Sequence, residues 1–141
     1  MEVIASAMLT QHQLKFHKVG SDDSGKGDIH FTANTTDQVF GVVYQISDSN
    51  KKILDQIEGL GQGYAQKMVT IFDHNGQAIE AWSYYATDIN PLLLPYDWYL
   101  QHILYGAQEH KLPQNHTKRI TQTQAQADPN QQRQQRELAI Y

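Results

Sequence analysis

The first half of the chain alternates short apolar runs with polar turns, a pattern typical of β-strands. Four such runs predict strands at residues 3–9, 13–19, 28–33 and 38–46. The last of them contains VFGVVYQI, which is rich in β-branched and aromatic side chains. Gly41 interrupts this run, and a glycine inside a strand commonly marks a bulge or a place where something approaches the backbone closely.

A short helix follows the strands. The polar stretch SDSN at residues 47–50 offers N-caps, and Gly59 is the residue type that ends helices in the left-handed conformation. The helix is therefore predicted to end at Glu58, where the helix dipole mildly disfavours a carboxylate. Three apolar residues at helical spacing should face a core: Ile53, Leu54 and Ile57.

The second half predicts a hairpin and further helices. KMVTIF and QAIEAWSYYA, joined by DHNG at residues 73–76, indicate an antiparallel hairpin, since Asn-Gly tolerates positive φ. After Pro95 an amphipathic stripe runs to Ala107, and Pro113 indicates the start of another short helix. Together with the strands, these elements predict an α+β fold, a small mixed or antiparallel β-barrel with helices on its outside.

Composition narrows the domain organisation. The chain has 141 residues, 40% of them hydrophobic, which is enough for one domain and too few for two. Residues 1–120 are expected to form this domain. Residues 121–141 are rich in glutamine and are expected to form a solvated or frayed polar tail.

Charge and cysteine content exclude several functions. The net charge of −4 and the scattered basic residues argue against nucleic acid or a membrane as partner. The start lacks the features of a signal peptide, so a cytoplasmic location is expected. The chain has no cysteine, which leaves carboxylates, histidines, hydroxyls or the substrate's own groups for any chemistry.

The sequence does not support a nucleotide-binding, metal-binding or serine-hydrolase motif. GSDDSGKG at residues 20–27 has P-loop spacing, but Gly27 replaces the Mg²⁺-binding hydroxyl residue and a strand follows instead of a helix. A flexible turn that borders a ligand pocket is the better interpretation. The seven histidines show no metal-ligand spacing and are expected to be surface or structural residues, so neither metal nor cofactor is expected. No serine elbow is present.

Four segments, in this order and spacing, resemble the gamma-glutamylcyclotransferase family: VFGVVYQI, ILDQIEGLGQGY, AWSYYA and YLQHILYGAQEHKLP. The resemblance covers about residues 3–113. It implies a small β-barrel enzyme, without a cofactor, that converts small gamma-glutamyl compounds into 5-oxoproline and releases an amine or amino acid.

The resemblance also implies roles for individual residues. Glu58, in the LDxxEG segment, matches the catalytic acid/base. Tyr84 matches a substrate-binding position, whereas its neighbour Tyr85 should face the opposite side of the strand. Tyr64 corresponds to an aromatic residue of the pocket, although Ala65 stands where a second tyrosine is common. Gly41 is also expected to contact substrate through its backbone, not from the resemblance but because a glycine inside a strand commonly marks a close approach.

One family feature does not occur in this sequence. The family opens with a strand and a Tyr-Gly-Ser-Asn loop that cradles the gamma-glutamyl group, and residues 1–14 contain no such loop. An incomplete N-terminus is therefore expected, with little activity and a free sheet edge that favours a homodimer. Two alternatives stay open: a catalytically weak binding module on the same barrel, and acyl transfer or deglutamylation of another metabolite.

Overall fold

The computed structural model describes all residues, 1–141. Six β-strands are present: β1 Glu2–Thr10, β2 His12–Val19, β3 Gly25–Phe31, β4 Gln38–Gln45, β5 Tyr64–Asp73 and β6 Ala78–Ala86. Four α-helices accompany them: α1 Asp48–Glu58, α2 Asp97–Glu109, α3 Gln114–Thr121 and α4 Gln131–Leu138. None of these helices combines the length and the apolar character that crossing a membrane requires.

The strands form two antiparallel sheets. One has four strands in the order β4-β1-β5-β6, and the other pairs β2 with β3. The predicted α+β class is confirmed, but the ladders do not close into a barrel. The sheets are joined by single hydrogen bonds instead, such as those from the backbone N–H of Ala86 to the Asp28 carboxylate (2.8 Å) and from the backbone N–H of Val19 to the carbonyl of Asp88 (2.9 Å).

The predicted hairpin is present as β5 and β6, paired from Tyr64 with Ala86 to Phe72 with Ala78. Asp73 shapes its loop, because its carboxylate accepts hydrogen bonds from two backbone N–H groups of the turn. Gly76 adopts φ 77°, a left-handed conformation that costs glycine little.

The core has two parts. Ala7, Leu9, Val69 and Ile71 pack on one face of the larger sheet. A second cluster joins β2 to the helices α2 and α3, and consists of Phe16, Leu100, Ala107 and Ile120. The apolar stripe predicted for the helix after Pro95 is thus confirmed as the face of α2 that packs in this second cluster.

Helix α1 does not face the core as predicted. Ile53 and Ile57 are 55% and 74% exposed, so the prediction that they are buried is wrong. Lys51 and Asp55 instead turn inward, because the Lys51 ammonium donates to the Gln66 side chain of β5 (2.7 Å) and to the Asp55 carboxylate. Polar contacts with the sheet, not the apolar spacing, set the rotation of this helix.

A cavity of about 870 Å³ lies between α1 and the larger sheet. Most of its lining is apolar, and it includes Leu54 of α1, Ile71 of β5 and Ile79 of β6. The sheet therefore has one face that the helices of this chain leave incompletely covered.

Residues 121–141 are not a frayed tail. Asp128 is 4% exposed, and its carboxylate accepts hydrogen bonds from the Trp98 indole N–H (3.0 Å) and from the Arg133 guanidinium (2.8 Å). Gln126 continues the attachment, because its backbone N–H donates to the carbonyl of Pro95 (3.0 Å). The glutamine-rich composition concealed the hydrogen bond between Trp98 and Asp128, which docks the segment on α2.

Candidate functional site

Glu58 is the last residue of α1, as predicted. Gly59 follows it with φ 72° and ends the helix in the left-handed conformation. Glu58 is half-buried, and this burial raises its pKa, while the positive charge of Lys18 partly opposes the shift. An acid/base catalyst at a helix C-terminus needs such a shift, because the helix dipole alone is worth less than one pKa unit.

Three tyrosines lie within range of the Glu58 charge. Burial is the main reason that the pKa values of Tyr64, Tyr84 and Tyr99 are raised, and the negative charge of Glu58 contributes to each shift. The rings of Tyr64 and Tyr84 meet edge-on with centroids 6.4 Å apart. Tyr64 and Tyr84 thus lie next to each other and within range of the Glu58 charge, and their hydroxyls stay protonated at neutral pH.

Two of these tyrosines hold the peptide backbone of Gly27. The Tyr64 hydroxyl donates to the Gly27 carbonyl (2.7 Å), and the Gly27 N–H donates to the Tyr99 hydroxyl oxygen (2.9 Å). A Cβ at Gly27 would lie 3.2 Å from that same hydroxyl oxygen, which leaves little room for a side chain. The GSDDSGKG segment therefore borders the candidate site through its last glycine.

Tyr84 and Tyr85 have different partners, as their alternation on β6 predicts. The Tyr84 hydroxyl donates to the Asp55 carboxylate, which also pairs with Lys51. Tyr85 lies instead against Lys67, whose ammonium is 5.5 Å from the centre of the Tyr85 ring. Asp55 was not singled out from the sequence, where it is one more charged residue on a polar helix.

Lys18 is a second residue that the sequence did not single out. Its ammonium lies 4.8 Å from the centre of the Tyr64 ring and 3.2 Å from the place that a Cβ on Gly63 would occupy. Gly63 has φ 120°, which favours glycine and lets Lys18 pass close to the backbone. A cation thus stands near the Glu58 carboxylate, where it can attract an anionic group of a ligand.

Gly41 lies apart from this cluster. It sits on β4 and Tyr84 on β6, the two outer strands of the larger sheet, which strand spacing puts about 14 Å apart. The pairing of Gly41 with Ala7 is regular, so no bulge explains this glycine, and a Cβ at Gly41 would meet no protein atom within 4 Å. Contact of a substrate with the Gly41 backbone stays a prediction. Gly41 and Tyr84 do line the same large cavity, but Glu58 and Tyr64 are not among its lining residues.

Two histidines are clustered, contrary to the expectation from their spacing. His17 and His30 lie on paired strands, and their rings meet at right angles with centroids 5.1 Å apart. Asp28 lies between them and hydrogen-bonds to His17 (2.6 Å). Strand pairing brought together residues whose separation in sequence resembles no metal motif.

Comparison with known proteins places the chain in a family. Residues 38–120 match the model of the AIG2-like family, and this segment contains Gly41, Glu58, Tyr64 and Tyr84. The chain belongs to the AIG2-like family. This AIG2-like chain is also similar to a gamma-glutamylcyclotransferase of Bos taurus, with 34% identity over 85 residues, which is 60% of the chain and 45% of the bovine protein.

Solved structures agree with the AIG2-like assignment. A structure described as a gamma-glutamyl cyclotransferase superposes with a TM-score of 0.81 and 25% identity, covering 89% of this chain and 76% of that one. YkqA from Bacillus subtilis superposes with a TM-score of 0.76 over 89% of this chain and 47% of its own, and its 17% identity supports the fold alone. The AIG2-like chain is therefore a gamma-glutamylcyclotransferase-like family member that spans about half the length of its bovine relative.

Proposed function

We propose that the chain carries the acid/base residue and part of the substrate pocket of an enzyme that cyclises a gamma-glutamyl group to 5-oxoproline. The observation that carries this proposal is the half-buried carboxylate of Glu58, which has a raised pKa and whose charge acts on three protonated tyrosines. Membership in the AIG2-like family and similarity to the bovine gamma-glutamylcyclotransferase support the substrate class.

The reaction needs proton transfers but no enzyme nucleophile. The substrate's α-amine attacks its own γ-carbonyl carbon, a new C–N bond closes the five-membered ring, and the γ-amide C–N bond then breaks. Intramolecular attack of this kind reaches effective molarities of about 10⁵–10⁸ M when the groups are well oriented. The absence of cysteine from the chain is consistent with such a mechanism.

Glu58 performs both proton transfers in this proposal. Its carboxylate accepts a proton from the α-ammonium, whose pKa is near 8, and donates that proton to the departing nitrogen. The second proton, which the ring nitrogen loses after the new C–N bond forms, passes to the released amine, which leaves as an ammonium ion. Because the pKa of Glu58 is raised, it lies closer to the pKa of the α-ammonium. The smaller difference makes both proton transfers easier. General acid/base catalysis of this type contributes about 10²–10⁴-fold to a rate.

The neighbouring side chains supply binding. The Tyr84 hydroxyl offers a hydrogen bond to substrate, in exchange for its present bond to Asp55. Lys18 provides a positive charge that suits the α-carboxylate of a gamma-glutamyl group. A Tyr-Gly-Ser-Asn loop before residue 1, as in the resembling family, would add backbone N–H donors for the developing oxyanion, and loss of even one such donor costs about 10²–10³ in rate.

The test is release of 5-oxoproline from a panel of gamma-glutamyl amino acids. It compares the parent, Glu58→Gln and the control Glu109→Gln, whose side chain is exposed on α2. All three are assayed as the present chain and as the chain extended by a strand with the Tyr-Gly-Ser-Asn loop. We expect turnover to be strongest in the extended parent, unchanged by Glu109→Gln and reduced by at least about 10²-fold in Glu58→Gln.

Three results would overturn the proposal. Retained turnover in Glu58→Gln would remove the acid/base assignment. Binding of gamma-glutamyl compounds without any turnover, in both the short and the extended parent, would favour a binding module. Formation of a gamma-glutamyl conjugate in place of 5-oxoproline would indicate acyl transfer.

A further inference from the structure

His17, Asp28 and His30 form a compact group at the junction of the two sheets. The Nε2 atom of His17 is 2.6 Å from Oδ2 of Asp28, and Nδ1 of His30 is 3.8 Å from the same oxygen. The three donor atoms all lie within 4.8 Å of one another. Two imidazoles and one carboxylate therefore converge on a volume of the size of one ion.

The local fold explains why these side chains meet. Asp28 and His30 are two residues apart on β3, so both project from the same face of that strand. The pairing of β2 with β3 shifts between Lys15 and Lys18, and this bulge places two consecutive residues, Phe16 and His17, in the interior. Bulges of this kind commonly re-aim a side chain toward a site.

The carboxylate is already oriented for coordination. Its Oδ1 atom accepts a hydrogen bond from the backbone N–H of Ala86 (2.8 Å), which leaves Oδ2 to face the two imidazoles. A ligating carboxylate is commonly held in this way by a hydrogen bond from an outer partner. The side chains of His17 and Asp28 are only 10% and 3% exposed, whereas that of His30 is 39% exposed and borders solvent.

We propose that His17, Asp28 and His30 bind one divalent transition-metal ion of the Zn²⁺ class. Imidazole suits zinc and neighbouring metals, and two histidines with one carboxylate form a recurring three-ligand set that leaves positions open for water. This site lies one residue along β3 from Gly27 and is separate from the proton transfers assigned to Glu58. It needs no substrate and stands independently of the proposed function.

Binding requires a small, defined rearrangement. Zinc–ligand bonds of about 2.0–2.1 Å place the donors of a tetrahedral site about 3.3 Å apart. The contact between His17 and Asp28 must therefore open slightly, and His30 must rotate toward them from the solvent side. The ion takes the position of the hydrogen between Nε2 of His17 and Oδ2 of Asp28, and Nδ1 of the neutral imidazole carries the ring proton instead.

The experiment titrates metal-free protein with ZnCl₂ by calorimetry and with CoCl₂ by visible absorption, after dialysis against chelator. His30→Gln is the main variant, because this side chain is half-exposed and its loss should not prevent folding. Asp28→Asn is the second variant, and His74→Ala, an exposed histidine in the hairpin loop, is the matched control. Circular dichroism of each metal-free protein establishes that it is folded.

We expect one equivalent of Zn²⁺ to bind the parent and His74→Ala equally, with an upward shift in melting temperature. His30→Gln should bind about 10-fold or more weakly and lose the visible Co²⁺ band, and Mg²⁺ should not compete. No stoichiometric binding by the parent would overturn the proposal. Equal affinity of His30→Gln and His74→Ala would overturn it as well, even if Asp28→Asn failed to fold.

Discussion

The Tyr64 hydroxyl donates a 2.7 Å hydrogen bond to the carbonyl oxygen of Gly27, and so joins the first residue of β5 to the smaller sheet. Tyr64→Phe removes this bond and leaves a partly buried carbonyl without its partner. We expect the free energy of unfolding to fall by about 1–2 kcal/mol. Urea unfolding followed by circular dichroism measures this change.

Tyr44→Phe is the control for that experiment. The Tyr44 side chain is 43% exposed, and its hydroxyl lies 3.4 Å from His110, too far for a strong hydrogen bond. Its removal should change stability by less than about 0.5 kcal/mol. Equal losses in both variants would show that the contact with Gly27 does not stabilise the fold.

Tyr84→Phe and Tyr85→Phe should have different effects on substrate binding, because the two side chains lie on opposite faces of β6. Tyr84 lies beside Tyr64 and the Glu58 charge, so losing its hydroxyl should raise KM for a gamma-glutamyl substrate by about 10-fold, the worth of one hydrogen bond to a charged or polar group. Tyr85 faces Lys67 and should leave KM unchanged. Steady-state kinetics on both variants decide the matter, and similar KM values would contradict the assignment of Tyr84 to substrate.

The raised pKa of Glu58 predicts how stability depends on pH. Because the folded protein holds the Glu58 proton more tightly than the unfolded chain, the ionisation of Glu58 lowers stability as the pH rises from the ordinary glutamate pKa of 4.5 through the higher folded-state value. Glu58→Gln should therefore melt at a higher temperature than the parent at pH 7. This advantage should vanish below pH 4.5, where both side chains are neutral.

Thermal melts of the two proteins from pH 3.5 to pH 7.5 test this prediction. Glu109→Gln, with an exposed carboxyl group, serves as the control and should show no such trend. A constant difference in melting temperature across the whole range would mean that the effect comes from packing and not from the Glu58 proton.

Asp128→Ala should release the C-terminal segment. The substitution leaves the Trp98 indole N–H and the Arg133 guanidinium without their acceptor, so we expect a loss of about 2–4 kcal/mol. Limited proteolysis should then cut first within residues 129–141. If this segment stays protected and stability is unchanged, the hydrogen bond between Trp98 and Asp128 is not what holds it.

Local patterns predicted the hairpin, the apolar stripe of α2 and the end of α1, because turn chemistry and periodicity act within a few residues. The same patterns failed for Ile53 and Ile57, whose exposure depends on polar contacts that Lys51 and Asp55 make with distant strands. The docked C-terminal segment was missed for a similar reason, since Asp128 finds Trp98 thirty residues away. The amino-acid composition of a segment does not reveal a single long-range contact of this kind.

Some residues of the candidate site could likewise be predicted from the sequence, and others could not. Glu58 could be identified from the sequence, because the segment that resembles the family is local. The need for burial to raise its pKa could also be predicted, because the helix dipole alone is too weak to do so. Lys18, Gly27 and Tyr99 could not be identified, because they come from β2, β3 and α2 and meet only after the two sheets pack. The cluster of His17, Asp28 and His30 depends on strand register and on a bulge, which the order of residues does not reveal.

The open apolar cavity beneath α1 has a practical consequence for measuring stability. A hydrophobic reporter dye such as ANS has about 870 Å³ of largely apolar space to enter in the native protein, so its fluorescence should be bright before any unfolding begins. Bright dye fluorescence would then indicate binding to the native cavity and not the presence of a molten globule. Intrinsic tryptophan fluorescence gives a cleaner signal, because Trp98 is buried beside the docked C-terminal segment and responds to its departure, whereas Trp82 is already 57% exposed in the folded protein.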